Sequence, residues 1–586
     1  MTRHRSRQAL ARGLILLSLV VAACGGSATP APTADPKAPE AAKPAAQATA
    51  PGADKTAGAA PVAATAPAKP AREQTLRLPI IEPPTIDPGL ATDTVSIDII
   101  AQIFEGLVGF DDKGAIVGLG AEKWDVSPDG LTYTFTLRSG PQWSDGKSVT
   151  AKDYEWAWKR NIDPKTASDY ATTLYPIKNA VNIHKEDLDP QQLGVSARDD
   201  RTLVVTLEQP ASYFLRLVST WTMMPLRQDV LDQHGDTWTE AKNVVSNGPF
   251  LLKEWQHDTQ IVLERNDKYW GDKPALTRAV MRIFPEGGSE QVLTSYEAGE
   301  LDTFGSGTSF ELPAAQVDRI LADPQLKQEV KTFDQSATMF ITVNNRRAHF
   351  KDPKVRMALG QAIERDRVIN QVLKRVATPA RGLQPEGIVG RKPDLWAKED
   401  LQEARKNLAE AGFPDGRGFP EITFTYNTNA QWTLMAEYLQ QRYKEALGIN
   451  VKLDSMEWAV FLKWRRGDDW ANGGDLYRGG WFSDYEDPNN WYNVLWDSRE
   501  DPGVYNSGWK NDEYDRLVRQ AQGELDRGKR EQLYQQAEQI LAQQYPNIPV
   551  FHYGLRTLVK PHVQKFELER VLGLAPLKKV EMAERR

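Results

Sequence analysis

The densest group of side chains suited to contacting a ligand lies between residues 432 and 509. The chain contains 17 tryptophans, and this stretch holds many of its aromatic residues, among them Trp458, Trp464, Trp470, Trp481, Trp491, Trp496, Tyr477, Tyr485 and Tyr492. Most of these rings are expected to pack in a core. The run from Arg478 to Tyr485 differs, because it sets opposite charges and aromatic rings around the glycine pair 479–480. Glycine permits close approach of the backbone and sharp turns, so this run predicts a loop or strand end that faces a ligand.

Motifs for catalysis are missing from the sequence. The histidines that follow the N-terminal segment are widely spaced: His184, His234, His257, His349, His552 and His562. None lies in a zinc pattern such as H-E-x-x-H, and there is neither a glycine-rich phosphate loop nor a G-x-S-x-G elbow. A glycosidase needs two carboxyl groups, but acid pairs such as Asp484 and Asp487 are common on any acidic surface. The sequence therefore predicts a binding protein with no cofactor, no metal and no enzymatic activity.

The N-terminus resembles an export signal. Four arginines precede a short apolar run, residues 14–23, which ends in small residues before Cys24. Such a pattern is typical of a secretory signal peptide, here residues 1–23, since a transmembrane helix needs about 20 apolar residues. Cys24 behind two alanines resembles the lipobox of bacterial lipoproteins, in which the thiol receives a diacylglycerol and becomes the mature N-terminus. Two acyl chains suffice for stable anchoring. The alternative is an ordinary cleaved signal with an incidental cysteine.

Residues 24–73 predict a lipidated, disordered tether. The segment after Cys24 is almost entirely Ala, Pro, Thr, Gly and Lys, and no aromatic residue occurs before Phe104. Such a composition cannot bury enough apolar surface to offset the entropy of ordering. We expect an extracytoplasmic protein that touches the cytoplasmic membrane only through its lipid.

The composition of the chain also limits its partners. Cys24 is the only cysteine, so the folded part is expected to contain no intramolecular disulfide. The net charge of −7 becomes more negative when the arginine-rich signal is removed, which argues against nucleic acid as a partner. The remaining residues, roughly 510, suggest two to four domains.

From Gln74 onward the sequence becomes globular and shows both helical and strand periodicity. Apolar residues alternate with threonines in residues 131–137 and again in 203–207, which predicts two strands with one buried face. Capping signals at Thr150 and Asp352 predict two helix starts. Further helices are predicted around 431–447, 511–523 and 528–543, with a strand at 449–453. Strands and helices interleave without an internal repeat, so we expect an α/β fold with more than one sheet.

Two long motifs occur near residue 130. They read AEKWDVSPDGLTYTFTLR from Ala121 and WSDGKSVTAKD from Trp143. Together they closely resemble the family 5 extracytoplasmic solute-binding proteins, the oligopeptide- and dipeptide-binding components of ABC importers. Shorter motifs follow in family order: IDP at 86–88, FEGL at 104–107, NGPF at 247–250, VNN at 343–345, GINV at 448–451 and LVKP at 558–561. The resemblance spans the chain from about Gln74 to its C-terminus.

The resemblance implies a two-lobed α/β clamp of the large, class II periplasmic-binding-protein type, with a third subdomain inserted in lobe I. Lobe I is expected to comprise residues 74–104, 231–336 and 552–586, with the inserted subdomain at 105–230 and lobe II at 337–551. The ligand lies between lobes that close about a hinge. The implied function is the capture of peptides, chiefly oligopeptides, by a monomer that delivers them to the permease subunits of an ABC importer.

The resemblance also implies site residues. Asp484 matches the carboxylate that oligopeptide-binding relatives use for the α-ammonium group of the peptide. Arg478 matches a cation that pairs with the C-terminal carboxylate when the peptide length suits. Asn247 and Gly248 match a segment that hydrogen-bonds the ligand backbone, a contact that gives affinity without reading sequence. The other implied ligand contacts are Trp458, Trp481, Tyr170, Tyr485, Thr92 and Thr94.

Departures from the family pattern leave the preferred ligand length open. Ala337 and Phe482 stand where some relatives have a cysteine pair. Gly360 lies near the position of a lysine that some relatives use for short peptides, and Thr92 replaces an acidic residue. Another solute such as an oligosaccharide, or a sensory or adhesive lipoprotein role, is the alternative for the whole protein.

Each site residue also has a simpler explanation. Asp484 is suited to capping a helix, and Arg478 to bracing Asp484 in a structural ion pair. Trp458 and Trp481 are suited to a core, and the Asn247–Gly248 pair to an ordinary turn.

Overall fold

The computed structural model of the protein describes residues 74–111, 114–305, 309–498 and 507–584. The predicted signal peptide, Cys24 and the predicted tether all lie outside these residues. Within the described ranges no helix is both long enough and apolar enough to cross a membrane.

Short strands alternate with helices along the described part of the chain. The strands are β1 (Thr75–Ile80), β2 (Val108–Phe110), β3 (Ile116–Gly118), β4 (Ala121–Val126), β5 (Thr132–Leu137), β6 (Val195–Asp199), β7 (Thr202–Thr206), β8 (Phe250–Gln256), β9 (Gln260–Arg265), β10 (Arg278–Ile283), β11 (Val330–Val343), β12 (Ala377–Pro379), β13 (Ile422–Asn427), β14 (Val451–Met456), β15 (Leu476–Phe482), β16 (Asn547–Leu558), β17 (Val563–Gln564) and β18 (Glu581–Met582).

The α-helices lie between these strands and beyond them. They are α1 (Thr94–Ile103), α2 (Ala151–Ile162), α3 (Ala180–His184), α4 (Phe214–Val218), α5 (Gln228–His234), α6 (Ser289–Glu297), α7 (Ala314–Ala322), α8 (Pro324–Glu329), α9 (Pro353–Gln361), α10 (Arg365–Arg367), α11 (Leu401–Glu410), α12 (Ala430–Leu447), α13 (Trp458–Arg466), α14 (Asp468–Gly473), α15 (Pro488–Trp496), α16 (Asp512–Gly523) and α17 (Arg527–Gln544).

The larger sheets have separate strand sets. One four-stranded sheet has the order β1-β10-β9-β8, and another has the order β4-β5-β7-β6. A six-stranded sheet has the order β12-β16-β11-β15-β13-β14. Parallel and antiparallel pairs are mixed in the six-stranded sheet, where β13 runs parallel to β14 and β15 while β11 runs antiparallel to β15 and β16. The fold is therefore α/β with several sheets.

Buried apolar side chains form clusters that divide the molecule in two. Two clusters draw their buried residues from 76–326 and 558–580, and we call this part lobe I. A third cluster draws its buried residues from 337–553 and defines lobe II. One residue breaks this division, because Tyr485 belongs by sequence to lobe II but packs in the core of lobe I.

Strands β11 and β16 connect the two lobes. Their ladder pairs Val330–Asp334 with Gly554–Leu558 and then Thr338–Thr342 with Asn547–His552, with a register shift between Asp334 and Thr338. Ser336 lies in this interruption, where its main-chain oxygen accepts a hydrogen bond from the Ser483 N–H at 2.8 Å. A shift in register weakens the ladder locally. The crossing of β11 and β16 is therefore suited to act as the hinge about which the lobes rotate.

The local signals in the sequence predicted several elements correctly. The alternation at 131–137 is the half-buried strand β5. Thr150 and Asp153 form the capping box of α2, and Asp352 caps α9 by accepting a hydrogen bond from the Lys354 N–H. The predicted helices at 431–447, 511–523 and 528–543 are α12, α16 and α17, and the predicted strand at 449–453 is β14, which begins two residues later.

The glycine pair 479–480 is not in a loop. Both residues lie inside β15, in the interior of the six-stranded sheet, and neither has a positive φ. A Cβ atom added to Gly479 would lie 2.5 Å from Thr342 Oγ1 and 2.8 Å from the Phe340 ring. The neighbouring strand therefore explains Gly479. Of the two predicted alternatives for this run, the loop is wrong and the strand end is confirmed, because β15 ends at Phe482 within it.

Candidate ligand-binding site

Asp484 lies just beyond the end of β15, next to the crossing between the lobes. The Ser483 N–H donates a hydrogen bond to the Ser336 carbonyl. The following helix, α15, is capped by Asp487, which accepts a hydrogen bond from the Asn489 N–H. Asp484 is therefore not the helix cap. In open α/β sheets ligands bind beyond the ends of strands, so the position of Asp484 suits contact with a ligand.

The carboxylate of Asp484 is held by neutral groups. Asn490 Nδ2 donates to Asp484 Oδ2 at 3.0 Å, and the Tyr170 hydroxyl donates to Asp484 Oδ1 at 3.5 Å. Burial, partly offset by these two hydrogen bonds, raises the pKa of Asp484 to about 6. No lysine, arginine or histidine in the described ranges forms an ion pair with it. A nearby positive charge would favour the ionised form of this half-buried carboxylate, and a cationic ligand would supply that charge.

Asn490 fixes the geometry of this corner. Its Oδ1 accepts hydrogen bonds from Trp481 Nε1 at 3.0 Å and from the Asp484 N–H at 3.1 Å, while its Nδ2 donates to the Asp484 carboxylate. The side chain is buried. One amide therefore ties the indole, the backbone and the carboxylate into a single unit.

Tyr170 reaches Asp484 from the opposite lobe. Its ring packs edge-on against Trp221, with ring centroids 5.0 Å apart, and Trp221 Nε1 donates to the Ala91 carbonyl at 3.0 Å. The next residue, Thr92, is exposed, and Thr94 is half-buried at the start of α1. Thr92 and Thr94 thus follow Ala91, whose carbonyl anchors the Trp221 ring that packs against Tyr170. Direct contact of the two threonines with a ligand remains a prediction.

Tyr485 forms a second contact between the lobes. Its ring stacks on Tyr213 with centroids 6.3 Å apart and planes inclined by 9°. Gln522 Nε2, also in lobe II, donates to the Tyr213 hydroxyl at 2.7 Å, and the Tyr485 hydroxyl donates to Asn489 Oδ1 at 2.7 Å. The Tyr485–Tyr213 stack and the Gln522–Tyr213 hydrogen bond exist only when the lobes are close together, so they stabilise the closed arrangement. The Tyr485–Asn489 hydrogen bond lies within lobe II.

We expect Tyr213→Ala to destabilise the closed arrangement. An aromatic pair contributes about 0.5–1.5 kcal/mol beyond burial, and a hydrogen bond about 1 kcal/mol. Ligand dissociation should therefore become about tenfold faster, with little change in association, as measured by stopped-flow fluorescence. Tyr213→Phe keeps the ring and loses only the hydroxyl, so it should show a smaller effect. Equal dissociation rates for Tyr213→Ala and wild type would contradict a role in closure.

Arg478 lies on β15, six residues before Asp484. Its guanidinium lies over the Trp432 ring, 4.3 Å from the ring centroid, and 5.9 Å from the centroid of Trp458. No carboxylate of the described residues pairs with it, and its Nε is buried without an acceptor. The alternative that Arg478 braces Asp484 is therefore wrong.

The two predicted pocket tryptophans have different environments. Trp481 is buried in the lobe II core, and its indole N–H is committed to Asn490. Trp458 begins α13 and is 38 % exposed, with its ring stacked on Phe461 at 6.0 Å between centroids. Trp458 is thus available as the wall of a pocket, whereas the structure shows Trp481 holding Asn490. Ligand contact by either ring remains a prediction.

Asn247 and Gly248 form their hydrogen bonds with other residues of lobe I. Asn247 Nδ2 donates to the Glu105 carbonyl at 2.8 Å, and Asn247 Oδ1 accepts from the Glu105 N–H at 3.0 Å. The Gly248 N–H donates to the Ile103 carbonyl, and the Gly248 carbonyl accepts from Asn266 Nδ2. A Cβ atom at position 248 would lie 2.5 Å from the Ile103 main chain, which explains the glycine. The predicted backbone contact with a ligand would have to come from the Asn247 main chain.

The departures from the family pattern also have a structural setting. Ala337 and Phe482 are direct partners in the β11–β15 ladder, so both sides of this pair are replaced together. A Cβ atom at Gly360 would lie 2.5 Å from the Tyr545 hydroxyl oxygen. A longer side chain at position 360 would therefore require Tyr545 to move.

Four residues of this site were not predicted from the sequence: Asn490, Trp432, Trp221 and Tyr213. Asn490 follows Asp484 by six residues, in the Asp487-Pro488 helix start. That capping signal was the available indication that this segment would fold back on the strand end. Trp432 and Tyr213 are far from the site in sequence, and their role depends on tertiary packing.

The fold and the site define a two-lobed binding protein that encloses its ligand between α/β lobes. Residues 115–503 match the bacterial extracellular solute-binding proteins, family 5. The chain is 34 % identical over 483 residues to the oligopeptide-binding protein OppA of Bacillus subtilis, covering 80 % of this chain and 86 % of the relative. The chain belongs to the family 5 extracellular solute-binding proteins.

Two further proteins show the range of this similarity. A protein of Escherichia coli K12 named a probable deoxycholate-binding periplasmic protein, YgiS, is 35 % identical over 496 residues, covering 83 % of this chain and 89 % of the relative. The crystal structure of Haemophilus influenzae OppA in complex with RPPGFSPFR has a TM-score of 0.74 at 30 % identity and covers 87 % of this chain and 99 % of that chain. These similarities confirm the predicted family and the predicted two-lobed fold. The family consists of binding proteins.

Proposed function

We propose that this protein captures peptides, chiefly oligopeptides, between its lobes outside the cytoplasm and delivers them to an ABC importer. The observation that carries the proposal is the half-buried Asp484 carboxylate, which neutral groups hold at the closing surface of the lobes without a cation among the described residues. Such a group is suited to the α-ammonium group of a peptide. The oligopeptide-binding relatives support the same ligand class.

Arg478 supplies the opposite charge for the other end of the ligand. It lies on the strand that leads to Asp484, six positions earlier in the chain, and this separation spans at most about 20 Å. An extended peptide of about three to five residues has a comparable length between its charged ends. The pair therefore suits a short peptide whose α-ammonium group meets Asp484 and whose carboxylate meets Arg478.

A second candidate ligand is an acidic, ring-containing solute without an ammonium group. The relative named a probable deoxycholate-binding protein favours this possibility at 35 % identity. Such a ligand would use Arg478 and the exposed face of Trp458 but would leave Asp484 without a positive charge. The need for Asp484 therefore separates the two candidates.

The ligand class can be tested by native mass spectrometry. The protein is mixed with a pool of peptides together with deoxycholate and oligosaccharides, and the retained species are identified. We expect peptides with a free amino terminus to be retained. Retention of deoxycholate or oligosaccharide with no peptide would overturn the proposal.

The affinity for peptides is expected to fall as the pH is lowered through about 6. Burial raises the pKa of Asp484 to about 6, and an ammonium ligand binds the ionised carboxylate, so protons compete with the ligand below this pH. Each further pH unit should lower the affinity by up to about tenfold. Calorimetric titrations on either side of pH 6 measure the change, and Asp484→Asn should abolish it. An equal slope in both proteins would assign the pH dependence to another group.

The proposal includes the organisation and location of the chain. Residues 1–23 are a signal peptide, Cys24 carries a diacylglycerol, and residues 24–73 form a tether that lets a monomer reach both its ligand and the permease subunits. The predicted lobe boundaries near residues 336 and 551 are supported by the clusters that define the two lobes.

A further inference from the structure

Trp432 contacts Arg478, the cationic side chain of the proposed site. It belongs to the first turn of α12 and is buried in the lobe II core. Its ring centroid is 4.3 Å from the central carbon of the Arg478 guanidinium. Trp458 approaches the same guanidinium from a separate helix, α13, at the longer distance of 5.9 Å. Two tryptophans on different helices thus converge on one arginine.

An aromatic ring and a carboxylate bind different parts of a guanidinium. A guanidinium is planar, and its N–H donors point outward in that plane. An aromatic ring attracts the flat face of the cation, whereas a carboxylate binds the edge through paired hydrogen bonds. Trp432 therefore restricts Arg478 without occupying the donors that a carboxylate ligand needs.

The neighbouring Arg375 shows the contrasting arrangement. Its guanidinium lies 4.7 Å from the Tyr553 ring centroid, but its Nη2 also donates to Glu311 Oε1 at 2.8 Å. Arg375 thus already has a carboxylate, which comes from lobe I. Among the described residues, Arg478 has none, so a ligand carboxylate at this end of the site would find Arg478 available.

We propose that Trp432 is a positioning residue that holds the Arg478 guanidinium ready for the ligand carboxylate, and so sets a preference for peptides with a free C-terminus. This inference rests on the proposed peptide-binding function and extends it to a residue outside the predicted site. A free arginine side chain has about 2 kcal/mol of rotamer entropy. Stacking on a buried ring removes part of that freedom before the ligand arrives.

The test compares alanine peptides of three to five residues that end in a carboxylate with the same peptides ending in an amide, by calorimetry. Trp432→Leu should weaken binding of the free acid about tenfold and change binding of the amide by less than about twofold. Trp432→Phe, which keeps an aromatic face, should lie between Trp432→Leu and wild type. Arg478→Gln should remove the preference for the free acid, and adding Trp432→Leu to it should have no further effect.

Trp464→Leu provides a matched control. Trp464 packs on Phe461 and Trp470 in the adjacent aromatic group, with ring centroids 6.2 Å and 5.5 Å apart, and should leave the preference for the free acid unchanged. Thermal melting shows whether each variant is folded.

The possible outcomes separate this inference from the proposed function. Equal weakening of acid and amide by Trp432→Leu would mean that Trp432 is only a wall of the pocket and would overturn the inference while leaving the function intact. Wild-type binding of acid and amide with equal affinity would exclude Arg478 as the carboxylate partner and overturn the inference as well. Failure of every peptide to bind the wild type would overturn both.

Discussion

Asp484→Asn is expected to weaken peptide binding about a hundredfold. The substitution preserves the size of the side chain and removes its negative charge. Removing one member of a buried charge pair commonly costs about 2–5 kcal/mol, because the other charge is left buried and unpaired, and a hundredfold loss corresponds to about 2.7 kcal/mol. Calorimetric titration of both proteins with the same peptide at neutral pH measures the difference.

The same variant should remain folded and become slightly more stable. The pKa of Asp484 is raised in the folded protein, so at neutral pH the ionised form is disfavoured by folding. Because the folded state binds this proton more readily than the unfolded state, the free energy of unfolding of wild type should rise as the pH falls from about 7 through the raised pKa. The neutral asparagine avoids that penalty at pH 7, so urea unfolding should give an equal or higher free energy of unfolding.

Asp352→Asn is the control for Asp484→Asn. Asp352 caps α9 at an exposed position, and asparagine is an equally good cap, so both affinity and stability should match wild type. Affinity of Asp484→Asn within about twofold of wild type would show that Asp484 does not hold a buried ammonium group.

The largest effect on stability is expected for Arg530→Met. Arg530 Nη2 and Nη1 donate to the two carboxylate oxygens of Asp487 at 2.6 Å and 3.0 Å, and both side chains are largely buried. Asp487 also caps α15, the helix that carries Asn490. Removing one partner of such a pair leaves a buried charge and typically destabilises by about 3–5 kcal/mol. Urea unfolding should show a loss of about 3 kcal/mol.

Arg516→Met is the matched control for the buried pair. Arg516 pairs with Glu513 on the exposed face of α16, and an exposed pair contributes about 1 kcal/mol or less. Its unfolding free energy should therefore lie within about 1 kcal/mol of wild type. Similar losses of unfolding free energy for both arginine variants would show that the buried Asp487–Arg530 pair stabilises the fold no more than an exposed pair does.

Elements with local signals were predictable from the sequence, because alternation and helix caps act within a few residues. β5, α2 and α9 are examples. The glycine pair 479–480 left a loop and a strand end as alternatives, since a close approach between strands and a loop both favour glycine. The reason for Gly479 lies in Thr342 and Phe340, which only the strand register brings next to it.

The candidate site was predictable in part. The resemblance to the family pointed to Asp484 and Arg478, and the structure gives both a setting suited to a charged ligand. Two parts of that setting depend on tertiary packing. The contact of Arg478 with Trp432 requires the first turn of α12 to lie against a side chain of β15. The Tyr213–Tyr485 stack requires the lobes to close.

The central claim is that Asp484 binds the α-ammonium group of a peptide. The most direct measurement is a calorimetric titration of wild type and Asp484→Asn with one peptide in two forms, with a free and with an acetylated amino terminus. We expect wild type to bind the free form about a hundredfold more tightly, and Asp484→Asn to bind both forms with similar affinity. Equal binding of the two forms by wild type would contradict the claim.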